Sequence, residues 1–178
     1  MRWRQTLPQL WLISDERNDA VLEVALDRLP RGSGFIYRHY HLPPGERVAR
    51  YIELEPIARR RGHCVILADS ALTALEWDAD GHYGAPRALD PRREGLLRLA
   101  TAHSAREIAE ANRADADAVL LSPVYPTRSH AGAKPLGPKR FRILAALSRA
   151  PVIALGGMTQ GGADRLDWPL WAAIDGLA

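Results

Sequence analysis

Short hydrophobic runs recur along this chain, and polar or glycine-bearing segments follow them. Residues 96–101 run into Ala102-His103-Ser104, and residues 118–121 run into Ser122-Pro123-Val124-Tyr125-Pro126-Thr127-Arg128-Ser129-His130. Residues 151–155 run into Gly156-Gly157-Met158-Thr159. Each run has strand length and is aliphatic or β-branched on both faces, the pattern of a parallel strand buried on both sides. Groups that donate hydrogen bonds or carry a proton stand just past each run. Chemistry at the carboxyl ends of successive parallel strands is how a β/α barrel builds its site.

The rest of the chain continues the alternation. Strands are predicted over residues 10–14, 35–38 and 65–68, with helices over 21–29 and 44–61 between them. The second helix carries Pro in its first turn and Gly62 just past its end. Between residues 70 and 95 the pattern is weakest: a short helix over 71–77, a marginal strand over 81–84, then a very short helix or loop. Ser104-Ala105-Arg106-Glu107 has capping-box spacing and starts a helix running to about Arg113. A helix over 138–148 and a last apolar run over 170–174 complete the set. Eight strands alternating with helices favour a closed ring over an open sheet. The expected fold is α/β, a shortened (β/α)8 TIM barrel forming one domain over residues 1–178. Its helices after strands three, four, seven and eight are short or missing, because 178 residues fall below the usual length of about 200–250.

Composition narrows the function classes. Hydrophobic residues make up 47% and charged residues 25%, which is ordinary for a globular protein. The net charge is +3, and all but two of the 24 basic residues are arginines, Lys134 and Lys139 being the lysines. The arginines alternate with Asp and Glu and form no basic stripe, so no nucleic-acid partner is expected. No apolar run approaches the roughly 18 residues of a membrane span, so no membrane association and a cytoplasmic location are expected. The single cysteine, Cys64, opens an apolar run and reads as core.

Several residues are candidates for chemistry. Gly156-Gly157 after the seventh strand can bring backbone amides to a phosphate or can make a simple tight turn. Thr127, Arg128, Ser129 and His130 lie in a long loop whose hydroxyls and amides suit a phosphate or pyrophosphate, or which is plain surface. His103 ends the fifth strand and can exchange a proton near neutral pH, or can simply start the next helix. Asp69 ends the third strand as a Mg²⁺ ligand, a base or a helix cap. Arg38, near the end of a buried strand, needs an anion, either a substrate phosphate or a neighbouring carboxylate.

In order and spacing these segments resemble the thiamine phosphate synthase / thiazole tautomerase (ThiE/TenI) family. Ser14-Asp15 stands where that family has Thr-Asp. Residues 36–40, Ile-Tyr-Arg-His-Tyr, stand for its Gln-Leu-Arg-Glu-Lys, and Ala68-Asp69 for its Asn-Asp. Thr101-Ala102-His103-Ser104 matches its Ser-x-His-Ser/Thr, and residues 123–130 match its Pro-Val-Phe-Pro-Thr-x-Thr/Ser-Lys. Residues 151–158 match its Pro-Val-Ile-Ala-Ile-Gly-Gly-Met almost letter for letter.

The resemblance implies a small-molecule ligand, either a thiazole phosphate or a pyrimidine pyrophosphate, and is compatible with a homo-oligomer. It implies phosphate binding by Arg38, Thr127, Ser129, His130, Gly156, Gly157 and Ile174, with Asp69 as the metal position. The departures are also informative. Of the Asn-Asp pair and the second Asp after strand four, only Asp69 is retained, the last position falling near Arg87. Tyr40 and His130 replace two lysines, and Ile174-Asp175 replaces a Ser-Ile pair, with Asp175 expected to repel a phosphate. These losses weaken a Mg-pyrophosphate site. They shift the expectation toward a tautomerase that uses His103 for proton transfer and requires no cofactor. The alternatives are a thiamine phosphate synthase using Mg²⁺ and a non-catalytic phosphate-ligand-binding paralogue.

Overall fold

The structure, a computed structural model, describes residues 6–128 and 134–177. Eight parallel strands close a barrel in chain order, as the alternation predicts. They are β1 (Leu10–Ile13), β2 (Gly34–Tyr37), β3 (Cys64–Leu67), β4 (Gly81–Gly84), β5 (Leu97–Ala102), β6 (Ala118–Leu121), β7 (Val152–Ala154) and β8 (Trp171–Ala173). The ring shuts where β1 meets β8, with Leu10 opposite Trp171 and Leu12 opposite Ala173.

Side chains alternate between two environments along each strand. One set, with Trp11, Ile36, Ile66, Leu99, Leu120 and Ile153, draws residues from all eight strands and fills the barrel interior. The other set packs outward against the helices. Burial on both sides explains why the strands read as continuous apolar runs. Trp11 is the largest interior residue; its indole N–H donates to the Pro8 carbonyl at 2.7 Å. A Cβ on the facing Gly34 would lie 2.0 Å from the Trp11 ring, so the glycine makes room for the indole. Cys64 belongs to the same interior, and burial pushes its thiol well above the ordinary range.

The outer layer is trimmed where the sequence is short. The helices are α1 (Leu22–Arg28), α2 (Pro44–Arg60), α3 (Ala71–Glu76), α4 (Ala105–Arg113), α5 (Gly137–Ala145) and α6 (Gln160–Leu166). A 3-10 turn over Pro86–Leu89 replaces the helix after β4, and another over Asp175–Leu177 follows β8. The first helical segment starts earlier than its apolar spacing predicts, as a 3-10 turn over Glu16–Val21. Asp15 and Asn18 cap that turn reciprocally, and polar caps leave no trace in hydrophobic periodicity. Similarly, α6 is nucleated by Thr159, whose hydroxyl accepts from Gly162 N–H at 3.1 Å. Among the described residues no helix is long and apolar enough to cross a membrane.

Candidate functional site

At the carboxyl ends of β6, β7 and β8 the loops enclose a cavity of about 220 Å³. Gly156, Gly157 and Met158 line it from the β7 loop, and Ile174 and Asp175 from the β8 end. Ser122 and Thr127 reach it from the β6 side, and Arg38 from β2. The structure therefore brings together five residues singled out in the sequence: Arg38, Thr127, Gly156, Gly157 and Ile174. Ser129 and His130 lie outside the described residues.

The two glycines are required by geometry. Gly156 has φ +92° and Gly157 φ +62°, in the left-handed region. A Cβ at Gly156 would meet Pro123 Cα at 2.6 Å, and one at Gly157 would meet the Pro126 carbonyl at 2.4 Å. The β6 and β7 loops thus touch backbone to backbone. The contact is secured by Val124 N–H donating to Leu155 O (2.9 Å) and Tyr125 N–H to Gly156 O (3.0 Å). A turn of this kind brings main-chain groups to the cavity, where exposed N–H groups can meet an anion.

A chain of opposite charges crosses the rim. Arg38 pairs with Asp15 (3.0 Å), Asp15 with Arg17 (2.8 Å), Arg17 with Asp175 (3.2 Å) and Asp175 with Arg128 (3.3 Å). Three arginines face two aspartates, so the charge that Asp175 brings is matched by two guanidinium groups. Burial works to raise the Asp15 carboxyl, but hydrogen bonds from Arg17 and the charges of Arg17 and Arg38 hold it below the usual range. The sequence points to Arg38 but not to Arg17, whose second partner, Asp175, lies at the other end of the chain.

Arg38 is set in place by its neighbours. Ser14 Oγ accepts its backbone N–H at 2.8 Å and lies 2.7 Å from His39 Nδ1, while His39 Nε2 lies 2.8 Å from Asp19 Oδ1. With a neutral ring, Nε2–H donates to Asp19 and the Ser14 hydroxyl donates to Nδ1. Burial lowers the His39 pKa, with the Asp19 hydrogen bond opposing it. His39 takes φ +43°, an uncommon conformation for a non-glycine residue, and the two ring contacts hold it there.

His103 does not itself line the cavity but rests against Ser122, which does. Its ring lies 3.0 Å from Ser122 O and 3.1 Å from Ser122 Oγ, and the residue is exposed. The capping box is present in modified form. Ser104 Oγ accepts Glu107 N–H at 3.3 Å, while the Glu107 carboxylate reaches back to His103 N–H at 2.6 Å.

Asp69 carries three protein donors. Its Oδ1 accepts Ser70 N–H (2.7 Å) and the Thr73 hydroxyl (3.0 Å), and its Oδ2 accepts Arg47 Nη1 (2.6 Å). Ser70, one residue on, is the cap of α3. Burial opposes ionisation of Asp69, yet the Ser70, Arg47 and Thr73 hydrogen bonds hold its pKa below the ordinary value. Among the described residues no three His, Cys, Asp or Glu side chains cluster to hold a metal. A Mg²⁺ ion takes one or two carboxylates along with waters and substrate oxygens, and at this strand end the Asp69 carboxylate already carries three protein donors, one of them a guanidinium. The residues present do not fit that ion. Arg47 carried no sequence signal, because an arginine in the first turn of a helix is unremarkable.

Comparison with known proteins gives a consistent set of likenesses. The family profile described as "Thiamine monophosphate synthase" matches residues 10–167. The chain is 35% identical over 174 residues to a "Thiamine-phosphate synthase" of Chlorobium luteolum, covering 89% of this chain and 78% of that one. A "Thiamine-phosphate synthase" of Chloroflexus aurantiacus is 32% identical over 148 residues, covering 80% and 67% respectively. Among solved structures, the "Thiamine phosphate pyrophosphorylase from Pyrococcus furiosus" superimposes with a TM-score of 0.76 at 24% identity, over 93% of this chain and 85% of that one. This last likeness supports the barrel alone.

Proposed function

This chain belongs to the thiamine monophosphate synthase family, and from that premise we propose that it is a thiamine-phosphate synthase. The reaction joins a hydroxymethylpyrimidine pyrophosphate to a thiazole phosphate. The thiazole nitrogen forms a bond to the pyrimidine methylene, the methylene C–O bond breaks, and pyrophosphate leaves with the electron pair.

The observation that carries this reading is the cavity in which the Gly156-Gly157 backbone meets Arg38. A monophosphate is held there by main-chain amides and the hydroxyl of Thr127, while Met158 and Ile174 cover an apolar ring. Arg38 lies on the β2 side, where a leaving group with a high negative charge is stabilised by a fixed guanidinium. Its contact with Asp15 and the Ser14 hydrogen bond to its backbone keep it oriented before a ligand arrives.

The relatives favour coupling over tautomerisation, and His103 borders the cavity only through Ser122. The test supplies both substrates and measures thiamine phosphate by chromatography. Arg38→Gln is expected to lower kcat/KM at least about tenfold, the loss of one charge-assisted bond to a phosphate. His103→Gln is expected to leave the coupling rate within about twofold, whereas a proton-transfer residue contributes roughly 10²–10⁴-fold. Failure of the folded protein to form thiamine phosphate overturns the synthase reading. Rapid interconversion of thiazole phosphate tautomers, abolished by His103→Gln, favours the tautomerase.

A further inference from the structure

We propose that Arg47 is the resident cation of the barrel mouth: it stands at Asp69 where a divalent metal would otherwise be needed, so that a diphosphate is bound by guanidinium groups without a metal ion. The proposal rests on the synthase reading for the molecule that carries the diphosphate, and its binding test does not require that molecule.

The geometry at the ends of β2 and β3 carries it. Arg47 projects from the first turn of α2 and spreads over three oxygen acceptors. Nη1 donates to Asp69 Oδ2 (2.6 Å), Nη2 to Ala68 O (3.0 Å) and Nε to Arg38 O (2.9 Å). A carboxylate and two backbone carbonyls are the oxygens a hard divalent cation would seek, and here one guanidinium takes all three. The other Asp69 oxygen is committed to Ser70 N–H and Thr73. A metal at Asp69 Oδ2 therefore competes with an arginine that two further bonds, to Ala68 O and Arg38 O, hold in place.

The guanidinium is also fixed by its surroundings. Its Cζ lies 5.4 Å from the Trp77 ring centre, 5.7 Å from Tyr40 and 5.8 Å from Tyr37, within cation–π range of each. Only 12% of its side chain is exposed. A guanidinium has five N–H donors. The three bonds to the strand ends use one on each nitrogen, which leaves one hydrogen on each terminal nitrogen for a ligand.

Arg38 supplies a second guanidinium. The Tyr40 ring lies 5.7 Å from the Cζ of Arg38 and the same distance from that of Arg47. Arg38 Nε is buried and, among the described residues, has no hydrogen-bond partner. Two planar forks at the mouth match phosphate oxygens well. An arginine stays protonated at any working pH and cannot dissociate, so its charge is present in every molecule.

Calorimetric titration with inorganic pyrophosphate tests the proposal, in EDTA and again in millimolar Mg²⁺. The expected affinity is the same within about twofold in both, and Arg47→Met weakens it about tenfold or more in EDTA, the size of one lost charge-assisted contact. Met retains an unbranched side chain to pack against the three rings. Arg47→Lys restores the charge without the fork, and an intermediate affinity is expected; circular dichroism checks that both variants fold. Three results overturn the proposal: Mg²⁺ tightening wild-type binding tenfold or more, Arg47→Met leaving the EDTA affinity unchanged, or no pyrophosphate binding in either buffer. A parallel titration with thiazole phosphate reads the Gly156-Gly157 cavity separately. Its failure beside intact pyrophosphate binding counts against the synthase reading and leaves Arg47 in its role.

Discussion

Arg17 Nη1 lies 3.2 Å from Asp175 Oδ2, so the loop after the first strand is tied to the end of the last. In the sequence Asp175 reads as a charge that would repel a phosphate. In the structure it is the anchor for Arg17 on one side and Arg128 on the other. Closure of the ring is what brings the two termini of the barrel together and turns a repulsive charge into part of a balanced rim.

The rim charges make a first prediction. Asp175→Asn leaves Arg17 and Arg128 without their shared counter-ion and makes the mouth more positive. Stability should change little, by about 0–1 kcal/mol, because these pairs are exposed. Affinity for thiazole phosphate should rise a few-fold at low ionic strength, and the gain should shrink in salt as the Debye length falls to about 3 Å at 1 M. Calorimetry at two salt concentrations measures both, and a drop in affinity at low salt would refute the balanced-rim account.

The β7 turn makes a second prediction. Gly157→Ala forces a Cβ against the Pro126 carbonyl at a residue with φ +62°. The strain is expected to cost about 1–3 kcal/mol of stability, read as a lower urea midpoint. Phosphate affinity should fall too, because relief of the clash moves the main-chain groups that line the cavity. Gly161→Ala is the control. Its Cβ would find only the tip of Arg165 at 3.5 Å, and both quantities should stay near wild type.

A third prediction concerns pH. His39, His63 and His82 are all held below the ordinary histidine pKa, burial being the main cause in each. A base whose folded pKa is lowered takes up protons more readily when unfolded, so it weakens the fold as pH drops below the unfolded value of about 6.5. Asp15, Asp19, Asp69 and Glu23 are lowered as well, and their contribution is present above about pH 4 and lost below it. The melting temperature should therefore begin to fall between about pH 6.5 and 5, before the carboxylates titrate. His82 is the sharpest case, since among the described residues its buried ring nitrogens make no close hydrogen bond and the Asp69 backbone is the main group working to keep the ring charged. His82→Leu removes a poorly satisfied buried ring and should hold or raise stability by about 1 kcal/mol while flattening the acid slope. A melting temperature that stays level down to about pH 4.5 in the wild type would contradict this.

Much of the fold was legible in the chain itself. Seven apolar runs at strand length, Ser104 before α4 and Gly62 after α2 are local signals, and with the marginal strand over 81–84 they point to the barrel. The Gly156-Gly157 pair was legible for the same reason, since a left-handed turn after a strand calls for glycine at its own positions. The 3-10 turn over Glu16–Val21 was not, because its capping pair has no hydrophobic period.

The alternation of strands and helices, set by which residues prefer burial on two faces, is thus determined by the sequence alone. The state of each charged group is decided only by the closed barrel. Asp69 reads as a metal ligand, a base or a helix cap until the fold brings up Arg47, 22 positions away, and Asp175 reads as a repulsive charge until Arg17, 158 positions away, pairs with it. Coulombic and hydrogen-bond partners act over a few ångströms of space rather than along the chain, so which carboxylate is available to a metal, and which arginine to a phosphate, is settled by tertiary structure.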